Sequence, residues 1–364
     1  MSKSVIIRSP EKIIPGVKKD KLYIFLAGPI QGVHDWQTTD IPQDFGPDVA
    51  LICPRRATYP DPTFDWEEQV TWETEALRIS DAILFWIPAE EEKIEGRDYA
   101  QTTKIELTEN LVRGKRVFLG IDPSIHTRRY LVEKAKAYGV KRVHDNLPSL
   151  IAEIREWVES SRKKGPKVYF TSDTHFSSAR SLELSKRPFK SVNEMDWKLV
   201  ELWNQTVRPW DIVYHLGDFG DRSWIKYLNC DVSLIQGNYE KDEVASHWNE
   251  ADFIKTLEGL GFKHVYESDK MPHLLIDGYH LHLVHEPTGL KTLVDYEMQS
   301  PVWDSLGKEH RFALFGHIHG RQKIKPWGID VGVDASEFRP VSMETVKFYL
   351  EAIEKGYYDE NVWL

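Results

Sequence analysis

The chain has 364 residues, a length that accommodates two or three domains. Hydrophobic residues make up 41% and charged residues 29%, values that exclude wholesale disorder. Two cysteines, Cys53 and Cys230, are too few for a disulfide framework or a thiolate metal cluster, and a net charge of -10 argues against duplex nucleic acid as a partner.

The amino end carries one short apolar run, Val5 to Ile7, where a secretory signal needs roughly 7–15 apolar residues. No run approaches the roughly 20 apolar residues of a membrane span. The expectation is a soluble cytoplasmic protein with no membrane partner.

From Lys21 the chain alternates short apolar strands with helical stretches. Lys21 to Ala27 predicts a strand ending at Gly28-Pro29, and Val49 to Cys53 a second ending at Pro54. Trp66 to Ile79 has helical spacing and leads into Asp81. Ala82 to Ile87 is wholly apolar, as a strand inside a parallel sheet should be. Thr103 to Arg113 predicts a helix stopped by Gly114, then Arg116 to Gly120 a strand. A helix over Arg128 to Tyr138, a short strand over Lys141 to His144 and a closing helix over Leu147 to Ser160 complete the pattern. Strand-helix alternation of this kind predicts βαβ units, with a ligand crevice at the carboxyl ends of the strands. The polar, basic stretch 160–166 closes on Gly165-Pro166 and reads as a linker. The expected domains are therefore 1–159 and 167–364. The fold class is α/β, with a flavodoxin-like or Rossmann-like parallel sheet in the first domain.

In the second half, polar pieces follow apolar strands one after another. Asp173 and His175 follow KVYFT. Gly217-Asp218 follows DIVYHL, Gly237-Asn238 follows VSLIQ, and His285 follows HLHLV. His317 and His319 follow FALF. Each piece sits where a strand meets a loop, so the side chains can converge on one edge of a sheet. Carboxylates, imidazoles and an amide oxygen suit Mn, Fe, Zn or Mg. Two metals a few ångströms apart need a bridging carboxylate, and Asp218 is the natural bridge. Such a pair can activate water and stabilise attacking and leaving oxygens at phosphorus.

This constellation, D-x-H, G-D, G-N, a lone His and G-H-x-H, resembles the calcineurin-like metallophosphoesterase family over about residues 166–345. FTSDTHF, DIVYHLGDF and VGVDASEFRPVS are similar to a small bacterial and phage branch of it. The resemblance implies an α/β/β/α sandwich. It implies one ion held by Asp173, His175, Asp218 and His319, and a second held by Asp218, Asn238, His285 and His317. Where the family has G-N-H, this chain reads Gly237-Asn238-Tyr239. Tyrosine, with a reference pKa near ~10, is a poorly matched proton donor at neutral pH. Tyr239 can still hydrogen-bond a phosphate oxygen, and His215 is the alternative donor.

In the first half, FLAGPI runs from a strand into a loop at Gly28 and Pro29, where backbone amides and small residues can make room for a sugar or base. Together with DWEEQVTWETEALRISDAILFWIP and TTKIELTENLVRGKRVFLG, it resembles a divergent branch of the nucleoside 2-deoxyribosyltransferase family over about residues 21–135. The resemblance implies that Glu106 attacks the anomeric carbon and displaces the base, as a carboxylate can. A place near a helix start would help keep Glu106 ionised. Asp81 stands where the family has a carboxylate near the base. Two positions depart from the family, Ala100 for an Asp and Thr102 for a Gly, and Asp98 is the substitute at hand. Trp36, Trp72 and Trp86 are candidates to stack on a base. Relatives of this kind often form homo-oligomers, an assembly the fused second domain can block or replace.

The expected function is bifunctional. The second half hydrolyses a phosphoester with two divalent metal ions. The first half cleaves or exchanges an N-glycosidic bond of a nucleoside or nucleotide. The alternatives are a phosphoesterase with a nucleotide-binding first half, and a nucleic-acid end-processing phosphodiesterase.

Overall fold

The structure, a computed structural model, describes residues 3–58, 61–267, 270, 272–287 and 311–357. The last residues of the expected second domain, 358–364, lie outside the described residues. The chain divides into two units: Met1–Pro15 with Asp20–Gly165, and Gly16–Lys19 with Pro166–Leu364.

The first unit is built on one sheet. Its elements are β1 Val5–Arg8, β2 Leu22–Ala27, α1 Trp36–Thr39, β3 Val49–Cys53, α2 Trp66–Ile79 and β4 Ala82–Ile87. They continue as α3 Gln101–Val112, β5 Val117–Ile121, α4 Arg128–Ala137, β6 Val143–His144 and α5 Leu147–Lys163. The strand order is β1-β3-β2-β4-β5-β6, and every neighbouring pair is parallel. Every residue of β2, β3 and β4 is buried, which explains their unbroken apolar sequences. The order reverses between β2 and β4, the switch point at which parallel sheets open a crevice.

Two elements differ from expectation. Val5–Arg8 is an edge strand paired with β3. The stretch 160–163, read as linker, is the last turn of α5. Arg162 anchors that turn, donating from Nε to Asp48 Oδ2 at 2.8 Å and bonding the Phe45 carbonyl.

Among its described residues the second unit has two five-stranded sheets. Its elements are β7 Val168–Thr171, α6 Ala179–Leu184, α7 Val192–Thr206, β8 Ile212–His215, β9 Asp231–Leu234, α8 Asn238–His247 and α9 Glu250–Leu260. Then come β10 His264–Val265, β11 His273–Ile276, β12 Tyr279–Leu283, β13 Arg311–Phe315, β14 Ile324–Lys325, β15 Gly328–Asp330, β16 Val341–Ser342 and α10 Met343–Glu354. One sheet runs β10-β9-β8-β7-β16 and the other β11-β12-β13-β15-β14. The period of two along β7 sends neighbouring side chains to opposite faces. Tyr169 packs with Met195, Leu199 and Trp203 of α7 and Phe253 of α9. Phe170 enters a cluster with Leu281 and Leu283 of β12 and Leu314 of β13. One buried cluster therefore holds side chains of both sheets. No helix among the described residues is long and apolar enough to cross a membrane.

Candidate functional site

The loops after β7, β8, β9, β12 and β13 carry the seven candidate metal ligands at the carboxyl ends of their strands. Five of these residues have left-handed backbone: Asp173, His175, Asp218, His317 and His319, with φ of 57°, 50°, 57°, 70° and 51°. Such backbone costs a non-glycine residue roughly 1–2 kcal/mol and collects at functional sites. The neighbouring glycines allow the close approach. A methyl group on Gly237 would overlap the Asp218 carboxylate, and one on Gly316 the side chains of Ser172 and Asp173.

The ligand atoms fall into two overlapping groups, Asp173 with His175 and His319, and Asp173 with Asp218 and His285. Asp218 Oδ2 is 3.7 Å from His175 Nε2 and 3.3 Å from His285 Nε2, so it stands between the two histidines. Asp173 Oδ1 is 3.9 Å from His175 Nε2 and 4.0 Å from His319 Nε2. Atoms that share an ion at about 2.1 Å lie at such separations from one another. His317 lies beside the second group, with its Nδ1 3.3 Å from Asn238 Nδ2 and its ring edge-on to His285.

Electrostatics prepare these groups. Burial lowers the His175 pKa to about 4, which leaves a neutral imidazole. Burial alone would raise the Asp218 carboxyl, but His285, the Tyr239 N–H and His175 outweigh it and hold it at about 2. Burial would lower His285, but Asp218, Asp173 and Glu240 raise it to about 9, in a field that favours a cation.

A second layer of hydrogen bonds fixes the candidate ligands. His285 Nδ1 is 2.8 Å from the Leu216 carbonyl, and His319 Nδ1 is 2.7 Å from Asp334 Oδ2. Glu240, fully buried, accepts the N–H groups of Asp218, Phe219 and Gly237 at 2.9, 3.0 and 2.9 Å. Neither Glu240 nor Asp334 was anticipated from sequence. Glu240 had a signal, since it stands three residues after Gly237 as the far half of a capping box. Tyr239 is 45% exposed, edge-on to the His175 ring at 5.2 Å. His215 is no proton donor: it is fully buried, bonded on both ring nitrogens to Thr174 and Gly217, and lowered by burial to about 3.

In the first unit, Glu106 lies in the second turn of α3 and is half-buried. Burial, then the charges of Glu73 and Glu109, push its pKa up to about 8. Burial therefore overrides the helix start that was expected to keep it ionised. Glu73 on α2, missed in the sequence, is itself raised by burial while accepting from Gln69 Nε2 at 2.8 Å. Gln69 also donates to the Pro54 carbonyl at the end of β3 and accepts from Ser9 and Arg56.

Other expected positions do not join Glu106. Asp81 precedes β4 and so lies at the amino edge of the sheet, where its carboxylate accepts the Tyr23 N–H at 2.7 Å. The length of a strand, about 3.3 Å per residue, separates it from the crevice. The space beside Gly28 is filled by the Trp36 ring and the Trp86 carbonyl. The Pro29 carbonyl accepts from Trp36 Nε1 at 3.2 Å. Trp36, Trp72 and Trp86 are all buried, and Trp72 Nε1 donates to the Glu11 carbonyl at 2.7 Å, so these indoles are packing residues. Asp98 is exposed in the loop before α3.

No family model matches the chain. The chain is similar to the uncharacterized protein MJ1445 of Methanocaldococcus jannaschii, 28% identical over 198 residues, covering 52% of this chain and 93% of that protein. It is similar also to the gene 66 protein of Mycobacterium phage D29, 26% identical over 218 residues, covering 52% of this chain and 98% of that protein. Among solved structures it is similar to the protein of unknown function AQ665 from Aquifex aeolicus, 20% identical, with a TM-score of 0.37, covering 51% of this chain and 100% of that one.

Proposed function

We propose that the second unit hydrolyses a phosphoester with two divalent metal ions, and that the first unit cleaves or exchanges an N-glycosidic bond of a nucleoside or nucleotide. One observation carries the first part. Asp173 Oδ1, His175 Nε2 and His285 Nε2 are buried and converge, and none of the three has a hydrogen-bond partner among the described residues. Leaving such atoms unsatisfied costs about 1–3 kcal/mol each, and a bound cation removes that cost.

Asp173, His175, Asp218 and His319 would hold one ion, and Asp218, Asn238, His285 and His317 the other. Bound there, the ions supply Lewis-acid polarisation of a phosphoryl oxygen and lower the pKa of water. The chain's own residues position the rest. Asp334 holds the His319 Nδ1 side and so turns Nε2 toward Asp173. Glu240 fixes the backbone that carries Asp218. The Tyr239 phenol can donate to a phosphate oxygen.

In the first unit the Glu106 carboxylate bonds the anomeric carbon as the bond to the base breaks. The base leaves with the bonding pair and takes up a proton from water. Water or a second base then displaces Glu106. A second reading, a binding module without catalysis, is favoured by the raised Glu106, which is protonated at neutral pH.

Mass spectrometry of products from deoxynucleotides, ribonucleotides and cyclic nucleotides, with manganese or with chelator, tests both parts. Chelator-sensitive phosphate release or ring opening is expected, together with chelator-resistant base release that Glu106→Gln abolishes. The absence of chelator-sensitive hydrolysis on every substrate would sink the phosphoesterase reading. Base release that persists in Glu106→Gln, or that never occurs, would sink the glycosidase reading.

A further inference from the structure

Helix α4 buries only Leu131 and Ala135, four residues apart on one side. A cavity of about 550 Å³ lies along the rest of it, lined by Arg128, Arg129, Val132, Glu133 and Lys136 and by His126 just before the helix. The sign of charge reverses here. The whole chain carries -10, yet residues 122–145 hold six Lys or Arg against three Asp or Glu. All three carboxylates are engaged. Asp122 accepts the Ser124 N–H at 2.9 Å, Glu133 pairs with Lys136 at 3.1 Å, and Asp145 pairs with Arg128. Arg129, Lys134 and Lys141 are exposed, and among the described residues no carboxylate lies within ion-pair distance of them.

Two aromatic rings stand among these cations. Tyr130 is 66% exposed and Tyr138 50%. The Lys134 ammonium lies 5.7 Å from the centre of the Tyr130 ring. At a rise of about 1.5 Å per residue, the two tyrosines are about 12 Å apart along the helix. Cations alone suit any polyanion, and the rings narrow the choice. Every nucleobase has a π-face that stacks on an exposed ring, whereas an acidic peptide needs none. A duplex keeps its bases stacked inside and offers the tyrosines nothing. An anionic bilayer calls for exposed aliphatic side chains, and the leucine of α4 is buried.

We infer that α4 and the turn after it bind single-stranded nucleic acid, with Arg129, Lys134 and Lys141 meeting phosphates and Tyr130 and Tyr138 stacking on bases. The inference stands apart from both reactions proposed above, since it needs neither the metal centre nor Glu106.

Fluorescence anisotropy of the full chain in EDTA tests this, with labelled oligothymidylate, a labelled duplex and labelled polyglutamate as probes. The chelator keeps the metal centre from cutting the strands. Oligothymidylate should bind most tightly. Three phosphate contacts on a single strand give a slope of about -2 in log affinity against log salt, so binding should weaken about 20-fold between roughly 50 and 200 mM salt. Replacing Arg129, Lys134 and Lys141 together with Gln should flatten that slope. Tyr130→Leu should weaken binding roughly fivefold or more at every salt concentration and leave the slope unchanged. These side chains are exposed, so the variants should unfold at the wild-type midpoint. No binding of oligothymidylate at low salt, or a slope that survives the triple substitution, overturns the inference. Equal or tighter binding of duplex or polyglutamate, or an unchanged affinity in Tyr130→Leu, also overturns it, because the face would then be a surface for polyanions in general.

Discussion

Arg187 and Asp334 meet in a two-point ion pair, Nε to Oδ1 at 2.9 Å and Nη2 to Oδ2 at 2.8 Å, with the Arg187 side chain wholly buried. The same Asp334 carboxylate faces His319 Nδ1, and Arg187 also donates to the carbonyls of Asp173 and Thr174. One pair thus ties the loop after β7 to a candidate ligand, His319, in the loop after β13. Asp334→Asn should lower manganese affinity by roughly 10–100-fold, the usual effect of losing such a partner. Arg187→Met should cost about 3–5 kcal/mol of stability, because it strands a buried carboxylate. Manganese calorimetry and urea unfolding check the two. Wild-type affinity in Asp334→Asn would remove the positioning role.

Glu240 offers a sharper test of how the loops are held. Its two oxygens receive three backbone N–H groups, from Asp218, Phe219 and Gly237. Glu240→Gln keeps the shape but turns one acceptor into an NH₂ donor facing a donor. A loss of about 1–3 kcal/mol is expected from the group left unsatisfied. Because Asp218 moves with that backbone, manganese affinity should fall as well. Denaturant unfolding of a chelated sample isolates the stability effect, and an unchanged midpoint would argue against the anchoring role.

The sheets were legible where burial on both faces forces an unbroken apolar run, as in Val49–Cys53 and Ala82–Ile87, whose predicted and observed bounds agree. The bounds of Trp66–Ile79 also agree, since Asp65 caps its start by accepting the Glu68 N–H. Val5–Arg8 was not legible, because its partner β3 is distant in sequence and its burial is mixed. The metal candidates were legible because each follows an apolar strand. Their left-handed backbone was not, since none of them is a glycine. Asp81 shows an error of a different kind. A residue that precedes a parallel strand must sit at the amino edge, and its position in the chain already said so. The state of Glu106 depends on burial and on Glu73, which helix position alone does not reveal.

Metal removal has a sign that does not depend on activity. An ion that binds the folded chain stabilises it by RT ln(1 + [L]/Kd), about 2.7 kcal/mol at a hundredfold excess over Kd. Adding manganese to chelated protein should therefore raise Tm. Asp218→Asn should lose most of that rise, because Asp218 Oδ2 lies between His175 and His285. Thermal unfolding with and without manganese is the measurement. An identical Tm in both conditions would count against a metal centre.

Tyr239 stands exposed at the edge of the His175 ring, a place from which a side chain can reach a leaving group. Replacing it with histidine supplies a donor matched to neutral pH. General-acid help is worth roughly 10²–10⁴-fold. Tyr239→His should therefore gain tenfold or more (about a tenth of that range's lower end) on an alkyl phosphate. Little change is expected on an aryl phosphate, whose leaving group needs no proton. Equal gains on both, or none on the alkyl ester, would set the account aside.

Glu106 gives the clearest pH signature. Burial and the charges of Glu73 and Glu109 push its carboxyl up to about 8 in the folded chain, against an ordinary value of 4.5. Below the unfolded value both states are protonated and the group is neutral toward stability. Between 4.5 and about 8 the folded chain holds the proton that the unfolded chain has released. Stability therefore falls as pH rises through this window, following the difference in bound protons. Glu106→Gln removes the titration, so the variant should gain on the wild type as pH climbs from 5 toward about 8. Base release should run the other way, because the attacking form is the carboxylate, and its rate should rise with pH toward about 8. Chemical denaturation of the two chains across pH, beside a pH–rate profile of the wild type, reads both effects. Parallel stability curves would place Glu106 in water and withdraw the buried-carboxylate account, whatever the activity.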